Sequence, residues 1–207
     1  KNYFTLLLVL IFVSCKIHAS EPTDVVRTTV DRVLEVLTKT NQKPDKQWRQ
    51  IAQTISPTFD FKSLSQSSID SGWKEASRQD KKKLIDYFSQ YLEDIYRTRM
   101  SGFIPSKIDY ISEQVRKDRS IVDSLVHSSG RKYLVSYRLK RKEKNWYIYD
   151  IFIGDESVVD NWKEVFGAII RAEGLDGLLS KLELTFEVPS EEDNKDFGGS
   201  TPGDRNR

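Results

Sequence analysis

The chain has 207 residues, of which 38% are hydrophobic and 31% are charged. This composition is typical of one folded domain of ordinary size, and it excludes a disordered or collagen-like protein. With 33 basic and 31 acidic residues, the formal net charge is only +2 at pH 7. Because no large basic field is present to recruit nucleic acid, that class of partner is disfavoured.

Residues 1–19 differ from the rest of the chain, since an apolar run follows Lys1 and the small residue Ala19 ends the segment. This pattern predicts a secretory signal peptide that is too short to span a bilayer as a permanent helix. A second interpretation treats Cys15 as the lipidated residue of a lipoprotein signal. Either signal exports the protein. Cleavage after Ala19 leaves His127 as the only imidazole and removes the only cysteine, which nearly excludes a Cys/His zinc site or a Cys–His nucleophile pair.

Apolar residues at helical spacing predict four helices in the first half of the chain. They run over 22–40, from Asp45 to before Pro57, over 61–69, and from Ser77 to near Gly102. Asp45 is expected to cap the second helix. Ser77 and Asp80, three residues apart, are expected to form a capping box at the start of the longest one.

After residue 105 the apolar residues follow a period of two, which predicts four strands. The patterns are Ile108/Tyr110, Ile121/Asp123/Leu125, Tyr133/Val135/Tyr137/Leu139 and Trp146/Ile148/Asp150/Phe152. Only short turns separate the strands, so an antiparallel meander is expected. A helix is predicted from Ser157 to a stop at Gly174, then a short helix to Leu182 and a disordered tail over 185–207.

These elements predict an α+β fold for residues 20–184, in which helices pack around a curved four-stranded antiparallel meander. Such a sheet, wrapped around a long helix, makes a cone that can enclose an apolar cavity. Aromatic residues are frequent on its inferred inner faces. A solid core explains the same stripes without any ligand.

Asp150 stands in the middle of an otherwise apolar strand, where a buried carboxylate needs partners. The structural interpretation is that it accepts hydrogen bonds from the backbone or from a tyrosine hydroxyl. An enzymatic interpretation pairs it with Tyr137 or Tyr149, as the base and the oxyanion donor for proton abstraction from an apolar ketone.

The remaining charged features have simple interpretations. His127 is expected to be solvated at a strand end. A basic run around the third turn predicts a solvated edge that resists aggregation, or alternatively a contact with anionic headgroups or a partner protein. The run consists of Arg138, Lys140, Arg141, Lys142 and Lys144.

Several separated stretches together resemble a known family. They are Phe59-Asp60-Phe61, Gly72-Trp73, Trp146-Tyr147-Ile148-Tyr149-Asp150, Ser157-Val158-Val159-x-Asn161-Trp162, and Gly174-Leu175-Asp176-Gly177-Leu178-Leu179 with Leu182. The set resembles the MlaC family, the periplasmic phospholipid-binding component of bacterial Mla lipid transport, also described as the toluene-tolerance auxiliary protein. The likeness runs from about Thr23 to Leu182. Gly154-Asp155-Glu156, before Ser157, departs from the Glu-Gly-Val that is usual there.

The resemblance implies a periplasmic, non-enzymatic carrier that holds a phospholipid by its acyl chains and needs no cofactor. It also implies partners, namely an inner-membrane lipid ABC transporter complex and an outer-membrane lipoprotein complex. From the facing of the elements, we expect eleven residues to line the cavity: Phe61, Leu84, Phe88, Leu92, Tyr110, Val135, Tyr137, Ile148, Phe152, Phe166 and Ile170. The alternatives are an exported cone-fold enzyme that uses Asp150 and a tyrosine, and a scaffold with a filled core.

Overall fold

The structure is a computed structural model that describes residues 21–39, 43–99 and 105–187. The predicted signal peptide, its Cys15 and the predicted tail beyond residue 187 lie outside the described residues. The helices are α1 (Pro22–Leu37), α2 (Pro44–Ile55), α3 (Phe61–Ile69), α4 (Ser71–Glu75), α5 (Arg78–Arg99) and α6 (Val158–Glu187). The strands are β1 (Lys107–Arg116), β2 (Arg119–Ser128), β3 (Arg131–Lys142), β4 (Asn145–Ile153) and β5 (Glu156–Ser157).

The helix starts follow from local chemistry. Ser77 and Asp80 form the predicted capping box, with the Asp80 carboxylate 3.2 Å from the Ser77 amide and the Ser77 hydroxyl 3.1 Å from the Asp80 amide. The prediction that Asp45 caps α2 is wrong. The helix begins one residue earlier, at Pro44, because the fixed φ of proline suits the first helical turn. The short helix α4 was not predicted.

The sheet is a fully antiparallel meander in the order β1-β2-β3-β4-β5, which confirms the α+β class. Ser129 and Gly130 both have positive φ, as a two-residue hairpin turn between twisted strands requires. The strand number differs from the predicted four. The fifth strand has only two residues, Glu156–Ser157, and is too short to show a period of two.

A second short segment, residues 58–60, pairs with an edge of β4. Phe59 forms a parallel bridge with Ile148, the Asp60 amide donates to the Ile148 carbonyl at 2.7 Å, and the Ile148 amide donates to the Thr58 carbonyl at 2.8 Å. The start of α3 is therefore fixed to the sheet by backbone hydrogen bonds.

The last helix starts at a capped end and contains one break. The Ser157 hydroxyl accepts from the Asp160 amide at 3.0 Å, as an N-cap residue does. Gly174 has a φ of 74° inside α6, a left-handed conformation that only glycine adopts without strain. The predicted stop at Gly174 is confirmed, because α6 consists of two helices that meet at a kink there, and the second runs to Glu187, three residues into the predicted tail.

Candidate functional site

The apolar interior is divided into two clusters. The first lies among α3, α4, α5 and α6, and Trp162 is at its centre, with its ring 5.9 Å from Phe88, 5.2 Å from Tyr91 and 5.5 Å from Phe166. Five of the eleven residues predicted to line a cavity belong to it or pack against it: Leu84, Phe88, Leu92, Phe166 and Ile170.

The second cluster lies between α1 and the sheet. Val26 of α1 is fully buried among residues of β2, β3 and β4. Four more of the predicted residues are here. Tyr137 and Ile148 are buried in the cluster, and Tyr110 and Val135 are half-buried against it. Ile151 packs against both clusters. The two clusters therefore meet at β4.

Strand β2 presents small side chains to the second cluster. Its buried residues alternate with half-buried ones and are Ser120, Val122, Ser124, Val126 and Ser128. Ser124 is fully buried and lies opposite Tyr110 on β1 and Val135 on β3. Small residues in the middle of a sheet face leave space that larger ones would fill. The predicted Ile121/Asp123/Leu125 pattern is the other, half-exposed face of the strand.

The other two predicted residues lie outside both clusters. Phe61 stacks on Phe59, with ring centroids 5.8 Å apart. The Arg138 guanidinium carbon lies 4.6 Å from the centre of the Phe152 ring. A bulge in the β3–β4 pairing places Phe152 opposite Ser136, whereas Ile151 lies opposite Tyr137. Because paired residues share a sheet face and neighbours alternate, Phe152 faces away from Tyr137, contrary to the uninterrupted period assumed for this strand.

A cleft opens at the edge of the second cluster, between α1 and the start of β1. Its volume is about 480 Å³, within the roughly 300 to 1,000 Å³ range of ligand pockets. Of the eleven predicted residues, Tyr110 lines it. The lining residues are Arg27, Asp31, Leu34, Pro105, Ser106, Lys107, Ile108, Asp109 and Tyr110. The cleft is polar at its rim and reaches the apolar cluster through Tyr110.

Asp150 connects β4 to the start of α6. The residue is 7% exposed, and its carboxylate accepts hydrogen bonds from the Ile151 amide at 2.8 Å, the Ser157 hydroxyl at 2.8 Å and the Val159 amide at 3.1 Å. Burial raises the pKa of Asp150, and these hydrogen bonds oppose that shift. Neither Tyr137 nor Tyr149 is among these partners. The structural interpretation therefore accounts for this residue, and its hydroxyl partner is a serine.

Three residues of the basic run, Arg141, Lys142 and Lys144, are exposed, as the predicted solvated edge requires, but part of the run is also paired within the molecule. Lys140 and Lys142 place their Nζ atoms 2.5 and 2.8 Å from Asp60 Oδ2, and the Asp60 side chain is 3% exposed. Arg141 lies 5.4 Å from the Trp146 ring centre. His127 is likewise paired, with its Nε2 3.0 Å from Asp109 Oδ2. This clustering was not predicted, because the partners are distant in sequence.

Two features are absent from residues 21–39, 43–99 and 105–187. No group of three or more His, Cys, Asp or Glu side chains in these ranges is placed to hold a metal ion. None of the helices described there is long and apolar enough to cross a membrane.

The fold and the two clusters define the class as an α+β protein with a helix-covered antiparallel sheet, an architecture typical of binding proteins for apolar ligands. A family model described as MlaC protein matches residues 27–184. The chain therefore belongs to the MlaC family.

Two relatives are informative. The chain is 19% identical over 157 residues to the intermembrane phospholipid transport system binding protein MlaC of Haemophilus influenzae, an alignment that covers 73% of each protein. A phospholipid-binding protein from Ralstonia solanacearum, solved in complex with a phospholipid, superposes with a TM-score of 0.72 at 23% identity. The superposition covers 80% of this chain and 96% of that one, so the two proteins share a fold.

Proposed function

We propose that this protein is a periplasmic carrier that holds a phospholipid by its acyl chains and transfers it between membrane complexes. Membership of the MlaC family over residues 27–184 is the observation that carries the proposal. The divided apolar interior supports it. The carboxylate of Asp150 is used to hold α6, which disfavours the enzymatic alternative.

The need for a carrier follows from the hydrophobic effect. Two acyl chains of about sixteen carbons contain some thirty methylenes, and burying each contributes about 0.8 kcal/mol. Leaving both chains in water therefore costs roughly 20 to 25 kcal/mol. A protein that crosses an aqueous compartment with the lipid has to cover these chains with apolar surface throughout the journey.

The acyl chains are proposed to lie along the covered face of the sheet, under α1 and toward the α5–α6 cluster. The small residues Ser120, Ser124 and Ser128 leave space on that face. The lining would then come from the predicted residues of both clusters, with Phe61 and Phe152 at the periphery. On this arrangement α1 is the wall that covers the chains, since Val26 is its fully buried contact with the sheet.

Transfer also needs partners that release the lipid. By family membership we propose an inner-membrane lipid ABC transporter complex and an outer-membrane lipoprotein complex, with the protein moving between them in the periplasm. A soluble carrier fits this task better than one anchored at Cys15. Handover then amounts to opening the α1 wall while a partner offers a competing apolar surface.

A vesicle assay tests the carrier function. Donor vesicles contain a fluorescent phospholipid together with a quencher that stays behind, and acceptor vesicles are present in excess. We expect substoichiometric protein to raise the transfer rate at least tenfold over buffer, because free lipid almost never enters water. Heat-unfolded protein is the control. A rate equal to that of buffer would exclude a carrier.

A further inference from the structure

The cleft beside α1 contains charges of both signs. Arg27 and Asp31 lie one helical turn apart on α1, and Lys107 and Asp109 lie on β1. Lys107 and Asp109 satisfy each other at 2.8 Å, and Asp109 also contacts His127. Arg27 pairs with Asp24 at 3.2 Å on the exposed surface of the helix. Asp31 has no ion pair within the described part of the chain, so its carboxylate is open to a cation.

Tyr110 supplies a second unsatisfied group in the same cleft. Its hydroxyl oxygen is buried and makes no hydrogen bond within the described residues. A buried hydroxyl without a partner costs about 1 to 3 kcal/mol, so such groups usually serve a ligand or a water molecule. Burial raises the pKa of Tyr110, and the charge of Asp31 adds to the shift, so the hydroxyl stays protonated and can donate.

Arg27 completes the arrangement. Its guanidinium carbon lies 5.0 Å from the Tyr110 ring centre, which holds the cation over the same ring whose hydroxyl is unpaired. A guanidinium and a hydroxyl together are donors for a phosphate oxygen. The next turn of α1, about 5 to 6 Å away between Cβ atoms, presents the Asp31 carboxylate, an acceptor for an ammonium group.

We infer that this cleft seats the headgroup of a zwitterionic phospholipid, with the phosphate at Arg27 and the Tyr110 hydroxyl and the ammonium at Asp31. The inference rests on the proposed function, because the acyl chains have to continue past Tyr110 into the second cluster. A two-carbon link between phosphate and ammonium suits neighbouring helical turns. An anionic glycerol headgroup would satisfy Arg27 and leave Asp31 without a cation.

The test is a competition between headgroups. Delipidated full-length chain is incubated with vesicles that contain equal amounts of phosphatidylethanolamine and phosphatidylglycerol with the same acyl chains. The protein is then separated, and its bound lipids are extracted and counted. We expect wild type to be enriched about threefold in phosphatidylethanolamine, as a partly exposed charge pair would give. Asp31→Asn should return the ratio to that of the vesicles.

Glu35→Gln is the matched control, since it removes a carboxylate from the exposed side of the same helix, where Glu35 pairs with Lys39. It should keep the enrichment of wild type. Wild-type protein that binds lipid at the vesicle ratio, or Asp31→Asn that stays enriched, would overturn the headgroup seat and leave the carrier function standing. Wild-type protein that binds no lipid would overturn both.

Discussion

Replacing Asp60 with asparagine is expected to lower the free energy of unfolding by about 3 kcal/mol at pH 7, the size typical of breaking one partner of a buried ion pair. Asp60 is nearly fully buried and forms ion pairs with the Nζ atoms of Lys140 and Lys142. It also caps α3 through the Ser63 amide at 3.2 Å. Asparagine keeps the cap but leaves the two ammonium groups without a counter-charge, so the fold loses the link between α3 and β3.

The loss of unfolding free energy caused by Asp60→Asn should become smaller as the pH falls. Burial alone would raise the pKa of Asp60, but hydrogen bonds from Lys140, Lys142 and Ser63 outweigh it and hold the pKa well below its usual range. A carboxyl whose pKa is lowered by folding stabilises the protein above its unfolded value, near 3.9, and loses that contribution as the pH falls. The difference between wild type and Asp60→Asn should therefore narrow by roughly 1 kcal/mol between pH 5 and pH 3.

Urea unfolding followed by circular dichroism measures both quantities. Asp118→Asn is the control, because the Asp118 carboxylate is 63% exposed and 3.9 Å from Arg119, and its loss should cost less than about 0.5 kcal/mol. Equal unfolding free energies for Asp60→Asn and Asp118→Asn would show that the buried pair contributes nothing net to the fold.

Replacing Val135 with tryptophan is expected to abolish phospholipid binding while the protein stays folded. Val135 shares the covered sheet face with Tyr137 and lies opposite Ser124. A tryptophan there would occupy the space beside the small Ser124 side chain that we assign to an acyl chain. The cost to stability should be about 1 to 3 kcal/mol, as for other overpacked cores. Lipid bound per protein after extraction should fall at least tenfold.

The neighbouring residue gives a matched control. Leu134 is 41% exposed on the opposite face of β3, so Leu134→Trp adds the same ring outside the interior. It should bind as much lipid as wild type. If Val135→Trp is folded and also retains the wild-type amount, the acyl chains do not run along this face of the sheet.

The period of two in the sequence was sufficient to predict the four long strands, yet in β2 it follows the residues of the half-exposed face. The apolar residues of the pattern are Ile121 and Leu125, whereas the buried residues of the strand include three serines. Serine is polar but small, and Ser124 donates its hydroxyl to the Val135 carbonyl at 3.2 Å. A pattern based on hydropathy does not detect a buried face whose side chains are small and polar.

The bulge in β4 limits prediction in a similar way. A strict alternation from Trp146 places Asp150 and Phe152 beside Ile148, but one extra residue exchanges the faces, so that Ile151 and Ile153 continue the covered side. No residue type in this part of the sequence marks the position of the bulge. Two hydrogen bonds hold Asp150 to the start of α6, on the face of β4 that the shifted register gives it.

Contacts between residues that are far apart in the sequence could not be predicted from it. The Phe59-Asp60-Phe61 stretch served only as part of a family resemblance, although Asp60 is the buried partner of two lysines eighty and more positions away. The cleft charges Arg27, Asp31 and Lys107 were not predicted as a group, because α1 and β1 meet only in the folded protein. Helix boundaries, by contrast, depend on neighbours in sequence, and Phe61–Ile69 was predicted to the residue.

The central claim is that the folded protein binds a phospholipid, and native mass spectrometry of the chain purified from bacterial envelope extract tests it most directly. We predict a dominant species heavier than the polypeptide by the mass of one diacyl phospholipid, which solvent extraction removes and lipid analysis identifies. Protein that carries no added mass, and gains none after incubation with phospholipid vesicles, would contradict the account and favour a scaffold with a filled core.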